Sequence, residues 1–304
     1  MDTILVTGSA GHLGRHVCTA LARHGLSVRG LDLRAHGHDR GDIRDEARVT
    51  DAVSGVVGII HLAAISRVAD AEADPATCGE TNIAGTCTVL QAAARSPWSP
   101  WVLFASSREV LGSIPCDVVA DETTPPEPGN LYARSKLHAE HLVCRADRRQ
   151  VHTCCVRLTN LFGSPWDRQE RAIPTFLRRA QAGVALHIRG PERTFDFLHV
   201  DDAVRAVLAI VDRLQSGLSL PPVLQLCSAR SVPLVEVARL VLAATDSPSP
   251  LVLEPAAAHE VDAFRGSHAL ATQFLGWTPT VSLETGLARL VAPAGHTAHQ
   301  MVLP

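Results

Sequence analysis

Apolar residues recur along this chain in two alternating rhythms. Short β-branched runs, Ile4 to Thr7 and Ser27 to Leu33, flank a segment from about Leu13 to His24 whose apolar positions repeat at helical spacing. That order predicts a βαβ unit. Further buried strands are expected at Val57 to Leu62, Trp101 to Ala105, Val151 to Leu158 and Leu224 to Cys227, with helices between most of them. The expectation is an α/β fold built on a doubly wound parallel sheet of the Rossmann type.

Proline and glycine punctuate this pattern. Pro97 and Pro100 mark a turn before one strand, and the stretch from Asp121 to Asn130, with Pro125, Pro126, Pro128 and Gly129, reads as a surface loop leading into a helix. After Leu161 the rhythm loosens around Gly163, Pro165, Pro174, Gly183, Gly190 and Pro191, as expected where substrate-contacting loops outnumber regular elements. The end of the chain, after about Gly295, has no periodicity and is given no role.

Thr7-Gly8-Ser9-Ala10-Gly11-His12-Leu13-Gly14 follows a predicted strand and opens a predicted helix, the context a dinucleotide fingerprint requires. Gly8 permits the turn, Gly11 lets the backbone approach a pyrophosphate, Gly14 allows close helix packing, and the helix N-terminus supplies N–H donors. Asp32, at the end of the second strand, is placed to accept from the ribose hydroxyls of NAD and to repel a 2′-phosphate. Arg34 is either a solvated loop residue or an acceptor for that phosphate. His12 is read as a solvent-facing side chain in the loop.

Domain organisation follows from these signals. Residues 1–160 are assigned to the NAD-binding Rossmann domain, with a returning segment at about 200–227. Residues 161–199 and 228–304 are assigned to a smaller C-terminal α/β substrate-binding lobe.

Composition narrows the partners. The 304 residues are 46% hydrophobic and 19% charged with a net charge of -3, which fits a folded chain and leaves no basic footprint for nucleic acid. The longest apolar stretch, about Val53 to Ile65, is interrupted by His61 and too short for a membrane span. The eight cysteines show no C-x-x-C spacing and are read as reduced thiols, with Cys154 and Cys155 in a buried strand. The chain opens directly on strand-like Ile4-Leu5-Val6 without a signal-peptide pattern, so a cytoplasmic protein is expected. His138 and His141 lie three apart on one predicted helix without a further ligand, and no metal site is assigned.

Tyr132 and Lys136 are one helical turn apart and share a face. A tyrosine with an ordinary pKa near 10 is a poor base, but an adjacent ammonium and a positively charged nicotinamide stabilise its phenolate. Tyr132 is then expected to take a hydroxyl proton, while Ser107, just past a predicted strand, hydrogen-bonds the same substrate oxygen.

With these residues in place the chain resembles the extended short-chain dehydrogenase/reductase family, in its NAD-dependent sugar-nucleotide epimerase/dehydratase branch. The matching segments are the glycine loop, Gly41-Asp42-Ile43, His61-Leu62-Ala63-Ala64, Thr81-Asn82-Ile83-Ala84-Gly85-Thr86, Ser106-Ser107 with Val110 and Gly112, and Tyr132-Ala133-Arg134-Ser135-Lys136. Further on come Arg157 to Gly163, Asp196 to Asp202, Leu275-Gly276-Trp277 and Leu283 to Leu287.

The cofactor set so implied is Gly8, Ala10, Gly11, His12, Leu13, Gly14, Asp32, Leu33, Arg34, Asp42, Ile43, Leu62, Ala63, Ala64, Asn82 and Ala105, with Tyr132 and Lys136. The substrate set is Ser66, Ser107, Arg108, Asn160, Ile173, Arg189 and Arg193, with Asn160 on the substrate diphosphate and Ile188, Arg189 and Gly190 near the nucleotide base. The resemblance also implies a homodimer through the helices around Thr86 to Ala94 and Tyr132 to Arg145.

Relatives share a first step that gives a bound 4-keto sugar. An epimerase then returns hydride to the other face, whereas a 4,6-dehydratase uses an Asp-Glu pair directly after the serine or threonine. Here that pair is Arg108-Glu109, and an arginine does not protonate a departing hydroxyl at neutral pH. The leading expectation is therefore a 4-epimerase of an NDP-hexose or NDP-uronate with catalytic Ser107, Tyr132, Lys136 and Glu109. Glu109 keeps a dehydratase or decarboxylase open, or is a structural acid paired with Arg108 or solvent. A 4-ketoreductase or sugar dehydrogenase is the alternative within the fold, and a cofactor-sensing scaffold is the non-enzymatic one. Phe195 stands where many relatives place a phosphate-binding arginine, which Arg193 is placed to replace, and Leu111 stands for the usual tyrosine before Gly112.

Overall fold

The computed structural model describes residues 2–115, 117–147, 151–256 and 263–292. Strand β1 (Thr3–Thr7) turns through the glycine loop into α1 (His12–Arg23), followed by β2 (Ser27–Leu31), α2 (Glu46–Val53) and β3 (Gly58–His61). Helices α3 (Val68–Ala73) and α4 (Pro75–Gly79) lead through a π-helical turn, Glu80–Gly85, into α5 (Thr86–Arg95). Strand β4 (Trp101–Ser107), helix α6 (Leu131–Asp147), β5 (Thr153–Leu158) and β6 (Asn160–Phe162) come next. The chain continues through α7 (Ala172–Gln181), β7 (Leu186–Arg189), β8 (Thr194–His199), α8 (Val200–Gln215) and β9 (Val223–Leu226). It then adds β10 (Ser231–Pro233), α9 (Leu234–Thr245), β11 (Leu251–Glu254), α10 (Ala269–Leu275) and α11 (Leu283–Val291).

Six strands form one parallel sheet in the order β2-β1-β3-β4-β5-β9. The predicted strands are all present, with ends shifted by a few residues. Their near-continuous apolar character has a simple cause, because alternate residues feed opposite cores. Ile4 and Val6 pack with Val17, Leu21 and the α8 residues Ala203, Val207 and Ile210, while Leu5 packs with Val49, Val53, Val89 and Val143 from α2, α5 and α6. Cys154 and Cys155 divide in the same way between the two cores, both fully buried.

Strand order reverses between β1, which continues to β2, and β3, which continues to β4. A crevice opens at the carboxyl ends there, where open α/β sheets bind ligands. Above it stands the second lobe. Its three-stranded sheet, β10-β8-β6, and its two-stranded sheet, β11-β7, share a core with α7, α9 and α11 through Phe162, Phe176, Ile188, Val237 and Leu287.

Two features differ from the sequence expectation. Strand β2 stops at Leu31, so Asp32 lies just beyond it and is held by an isolated bridge to Arg40. Helix α10 packs on the first core, because Ala271 and Trp277 join the α8 cluster and the Trp277 indole N–H donates to the Asp202 carbonyl at 3.0 Å. Residues after about Gly295 lie outside those described. Among the described residues no helix is long and apolar enough to cross a membrane.

Candidate active site

A cleft of about 1030 Å³ runs along the strand ends between the two lobes. One wall is the glycine turn. Gly8 has φ +72°, and a Cβ placed on it would come within 2.8 Å of the Ala63 nitrogen in the turn after β3. A Cβ on Gly14 would stand 2.1 Å from the Gly8 carbonyl, so helix α1 starts directly against the loop that feeds it. No side chain caps α1 at Gly11, which leaves its first amides to an anionic ligand.

Asp32 is 7% exposed, and its carboxylate accepts from the Ala10 amide at 3.0 Å and the Arg34 amide at 2.8 Å. Both contacts leave lone pairs for hydroxyl donors. Arg34 is mostly exposed, but its Nε lies 3.5 Å from Asp32, so an acid already attends the arginine that was open to a phosphate role. Leu33, Asp42, Ile43, Leu62, Ala63, Ala64, Ser66 and Ala105 also line the cleft. The Asp42 carboxyl is held below the usual range, chiefly by its hydrogen bonds from the Arg44 side chain.

Ala10 and Asn82 act from behind this wall. Asn82 is buried, accepts from the Ile65 amide at 2.8 Å and donates to the Ile65 carbonyl at 3.0 Å, so it braces the loop after β3. His12 does not face solvent. Its side chain is 11% exposed, and Nδ1 lies 3.3 Å from Asp167 in the loop after β6, which reaches across from the second lobe. His16 joins the same loop through Ser164 at 2.8 Å.

The reacting end is built by β4 and α6. Ser107, the last residue of β4, accepts the Glu109 amide at 3.2 Å and lines the cleft beside Tyr132, whose ionised form it favours. Asn130 caps α6, accepting from the Ala133 amide at 2.8 Å and donating to Glu109 Oε2 at 3.2 Å. The Leu131 amide donates to Glu72 at 3.0 Å. Tyr132 is thereby fixed in the first turn, with Lys136 buried one turn later and its Nζ 4.2 Å from the Phe104 ring centre. Behind them, Glu140 takes a bidentate pair from Arg157 at 2.6 and 3.2 Å and a hydrogen bond from Ser106 at 2.7 Å.

Burial raises the Tyr132 phenol above its ordinary value, against the influence of the Ser107 hydroxyl and with the help of the Glu109 carboxylate. Burial also lowers Lys136 to about 8. The Lys136 ammonium does not offset the burial of the phenol. His61, buried between Thr7 at 2.6 Å and Thr86 at 3.0 Å, is pushed by burial to about 3 and is neutral.

Arg108 is buried, with Nη2 2.5 Å from Glu109 Oε1. Glu109 thus has one oxygen on Arg108 and the other on Asn130, as the structural-acid alternative had it. From the second lobe, Asn160, Ile173, Arg189, Arg193 and Phe195 complete the cleft. Ile188 does not reach it. Strand β7 alternates, presenting His187 and Arg189 outward while Leu186 and Ile188 fill the core. Gly190 does not line the cleft either. His138 and His141 are both exposed.

Asn130, Glu140 and Asp167 were not singled out from sequence. An asparagine just before a helical run is a cap signal that pointed to the first, and a glutamate one turn past Lys136 pointed to the second. Asp167 carries no local signal.

A doubly wound sheet whose uncapped first helix opens on a cleft holding a serine, a tyrosine and a lysine defines an enzyme that moves hydride between a dinucleotide and an oxygen-bearing carbon. The chain belongs to the NAD dependent epimerase/dehydratase family, which matches residues 4–221. It is similar to UDP-glucose 4-epimerase of Rhizobium leguminosarum bv. trifolii, 30% identical over 244 residues, covering 71% of this chain and 74% of the relative. UDP-glucuronate 4-epimerase 5 of Arabidopsis thaliana is 26% identical, with 95% of this chain and 74% of the relative covered. Among solved structures, UDP-glucose 4-epimerase from Brucella ovis in complex with NAD superposes with a TM-score of 0.87 at 26% identity, covering 96% of this chain and 98% of that one. The dinucleotide named by the family fits the residues present, since the glycine cradle leaves no room for a Cβ and Asp32 keeps acceptor capacity at its rim.

Proposed function

We propose that this protein is an NAD-dependent sugar-nucleotide 4-epimerase, acting on an NDP-hexose or NDP-uronate. The observation that carries the reading is the convergence of Ser107, Tyr132 and Lys136 on one end of a dinucleotide cleft, with an arginine rather than a carboxylate directly after the serine. In this reading Gly8, Gly11 and the first amides of α1 hold the pyrophosphate and Asp32 holds the adenosine ribose. NAD in that cradle supplies a hydride acceptor that becomes the donor of the return step.

The residues divide the remaining work. Ser107 Oγ and Tyr132 Oη hold the sugar oxygen at carbon 4, and Tyr132 Oη takes its proton. Lys136 stabilises the phenolate through space, and Ser107 steadies the changing charge on the substrate oxygen. The 4-keto sugar presents its other face, and Tyr132 returns the proton as hydride comes back. Asn160 and Arg193 bind the substrate diphosphate from the second lobe, and Arg189 lies toward the nucleotide base. Glu109, with both oxygens engaged, orients Arg108 and the cap of α6 and takes no proton from substrate, which places dehydratase and decarboxylase chemistry second. A cytoplasmic homodimer, paired through the outer faces of α5 and α6, is the assembly that belongs with this reading.

The test is to denature freshly purified protein, identify released nucleotide by mass spectrometry, and follow UDP- and dTDP-sugars by NMR. Retained NAD with inversion at carbon 4 is expected. An empty site with consumption of NADPH would replace the epimerase by a net reductase, and loss of water or carbon dioxide would replace it by a dehydratase or decarboxylase.

A further inference from the structure

Arg108 is the most deeply buried cation of the cleft wall, 3% exposed, and its hydrogen bonding is incomplete. Nη2 meets Glu109, but Nε and Nη1 find no acceptor among the described residues. The guanidinium lies between two rings, 5.3 Å from the centre of Phe264 and 5.9 Å from that of Phe195. Glu109 is itself shared with Asn130, so the nearest carboxylate does not serve this arginine alone. A second guanidinium, Arg193, stands 5.2 Å from the centre of the Phe195 ring and acts on Arg108 as a like charge, with Asp196 acting in the opposite sense.

A buried guanidinium with idle donors and a cationic neighbour is costly by itself and is relieved by an anion. Its place decides which anion. Arg108 follows Ser107 directly, and Ser107 holds the oxygen at carbon 4. In a hexopyranose ring carbon 6 hangs from carbon 5, the immediate neighbour of carbon 4, whereas the diphosphate leaves from carbon 1 across the ring. A hydroxymethyl group at carbon 6 offers one neutral oxygen; a carboxylate offers two charged ones that pair with guanidinium donors.

We infer that Arg108 is a specificity residue that binds the carbon-6 carboxylate of a nucleoside-diphosphate uronate, so that uronates and not neutral hexoses are the preferred substrates. This rests on the 4-epimerase reading above and deepens it. Phe195 and Phe264 dry the guanidinium and hold its plane, and Glu109 fixes its Nη2 edge.

The experiment compares UDP-glucuronate with UDP-glucose on the intact NAD-loaded protein. Wild type is expected to favour the uronate in kcat/KM by about tenfold or more, and R108Q to lower the uronate-to-hexose ratio on the order of 100-fold, the range of a lost charge-assisted contact. R108K, which keeps the charge, falls between. A wild-type preference for UDP-glucose overturns the inference while leaving the epimerase reading intact. So does an equal fall of both substrates in R108Q and R108K, which marks a structural role. UDP itself is the control: weaker UDP inhibition in R108Q assigns the arginine to the diphosphate instead. If neither sugar is epimerised, the epimerase reading fails, and calorimetric binding of the two sugar nucleotides to wild type still decides the carboxylate question, equal affinities overturning it.

Discussion

Asn82 donates to Ser135 Oγ at 2.9 Å, and Ser135 Oγ donates in turn to the Tyr132 carbonyl at 2.7 Å. One buried amide, which also holds both backbone groups of Ile65, therefore ties the loop after β3 to the turn that carries Tyr132. Asn82→Ala strands several buried partners at once. Stability is expected to fall by about 2–3 kcal/mol and turnover by about tenfold, read by denaturant unfolding and by an epimerisation assay at matched NAD content. A variant with native stability and native turnover would remove Asn82 from this role.

Tyr132→Phe deletes one oxygen and keeps the ring. NAD content after purification should equal that of wild type, because none of the pyrophosphate or ribose contacts changes. Turnover should drop by about three orders of magnitude, within the range of a lost general acid–base. Single-turnover hydride transfer, followed by nicotinamide absorbance, checks it.

Lys136→Met should separate stability from activity. Burial lowers the folded-state lysine to about 8 from an ordinary 10.5. Below pH 8 both folded and unfolded chains carry the proton, and the folded chain bears the cost of a dry ammonium. From pH 8 to 10.5 the folded lysine is neutral while the unfolded one is still charged, so the penalty fades as pH rises. The substitution is expected to stabilise the protein by up to about 3 kcal/mol at pH 7, to lose that gain toward pH 10, and to abolish turnover. Unfolding curves at the two pH values decide the matter.

Gly14→Ala places a methyl group 2.1 Å from the Gly8 carbonyl, where only backbone movement makes room. Loss of copurifying NAD and destabilisation of about 2–3 kcal/mol are expected. Nucleotide content and the midpoint of thermal unfolding provide the measurement.

What the sequence made legible was local or periodic. The glycine loop between β1 and α1, the apolar strands and the Tyr132/Lys136 turn all declare themselves within a few residues, since strand and helix periods and a dinucleotide turn are short-range properties. What it concealed was long-range or scalar. Asn82 works through partners 17 and 53 positions away, and His12 meets an aspartate from the other lobe. The face that Ile188 presents depends on where β7 starts. The direction of the Tyr132 shift depends on how deeply the helix is sunk, and spacing alone does not carry that quantity.

The chain contains a single tyrosine, and it lines the cleft beside Ser107. Any tyrosinate absorbance in the near ultraviolet therefore comes from one oxygen, with no background phenol to subtract. The protein carries a built-in optical label at the atom proposed to take the substrate proton, so the charge that an incoming nicotinamide imposes there is open to direct titration without isotopes or substituted residues.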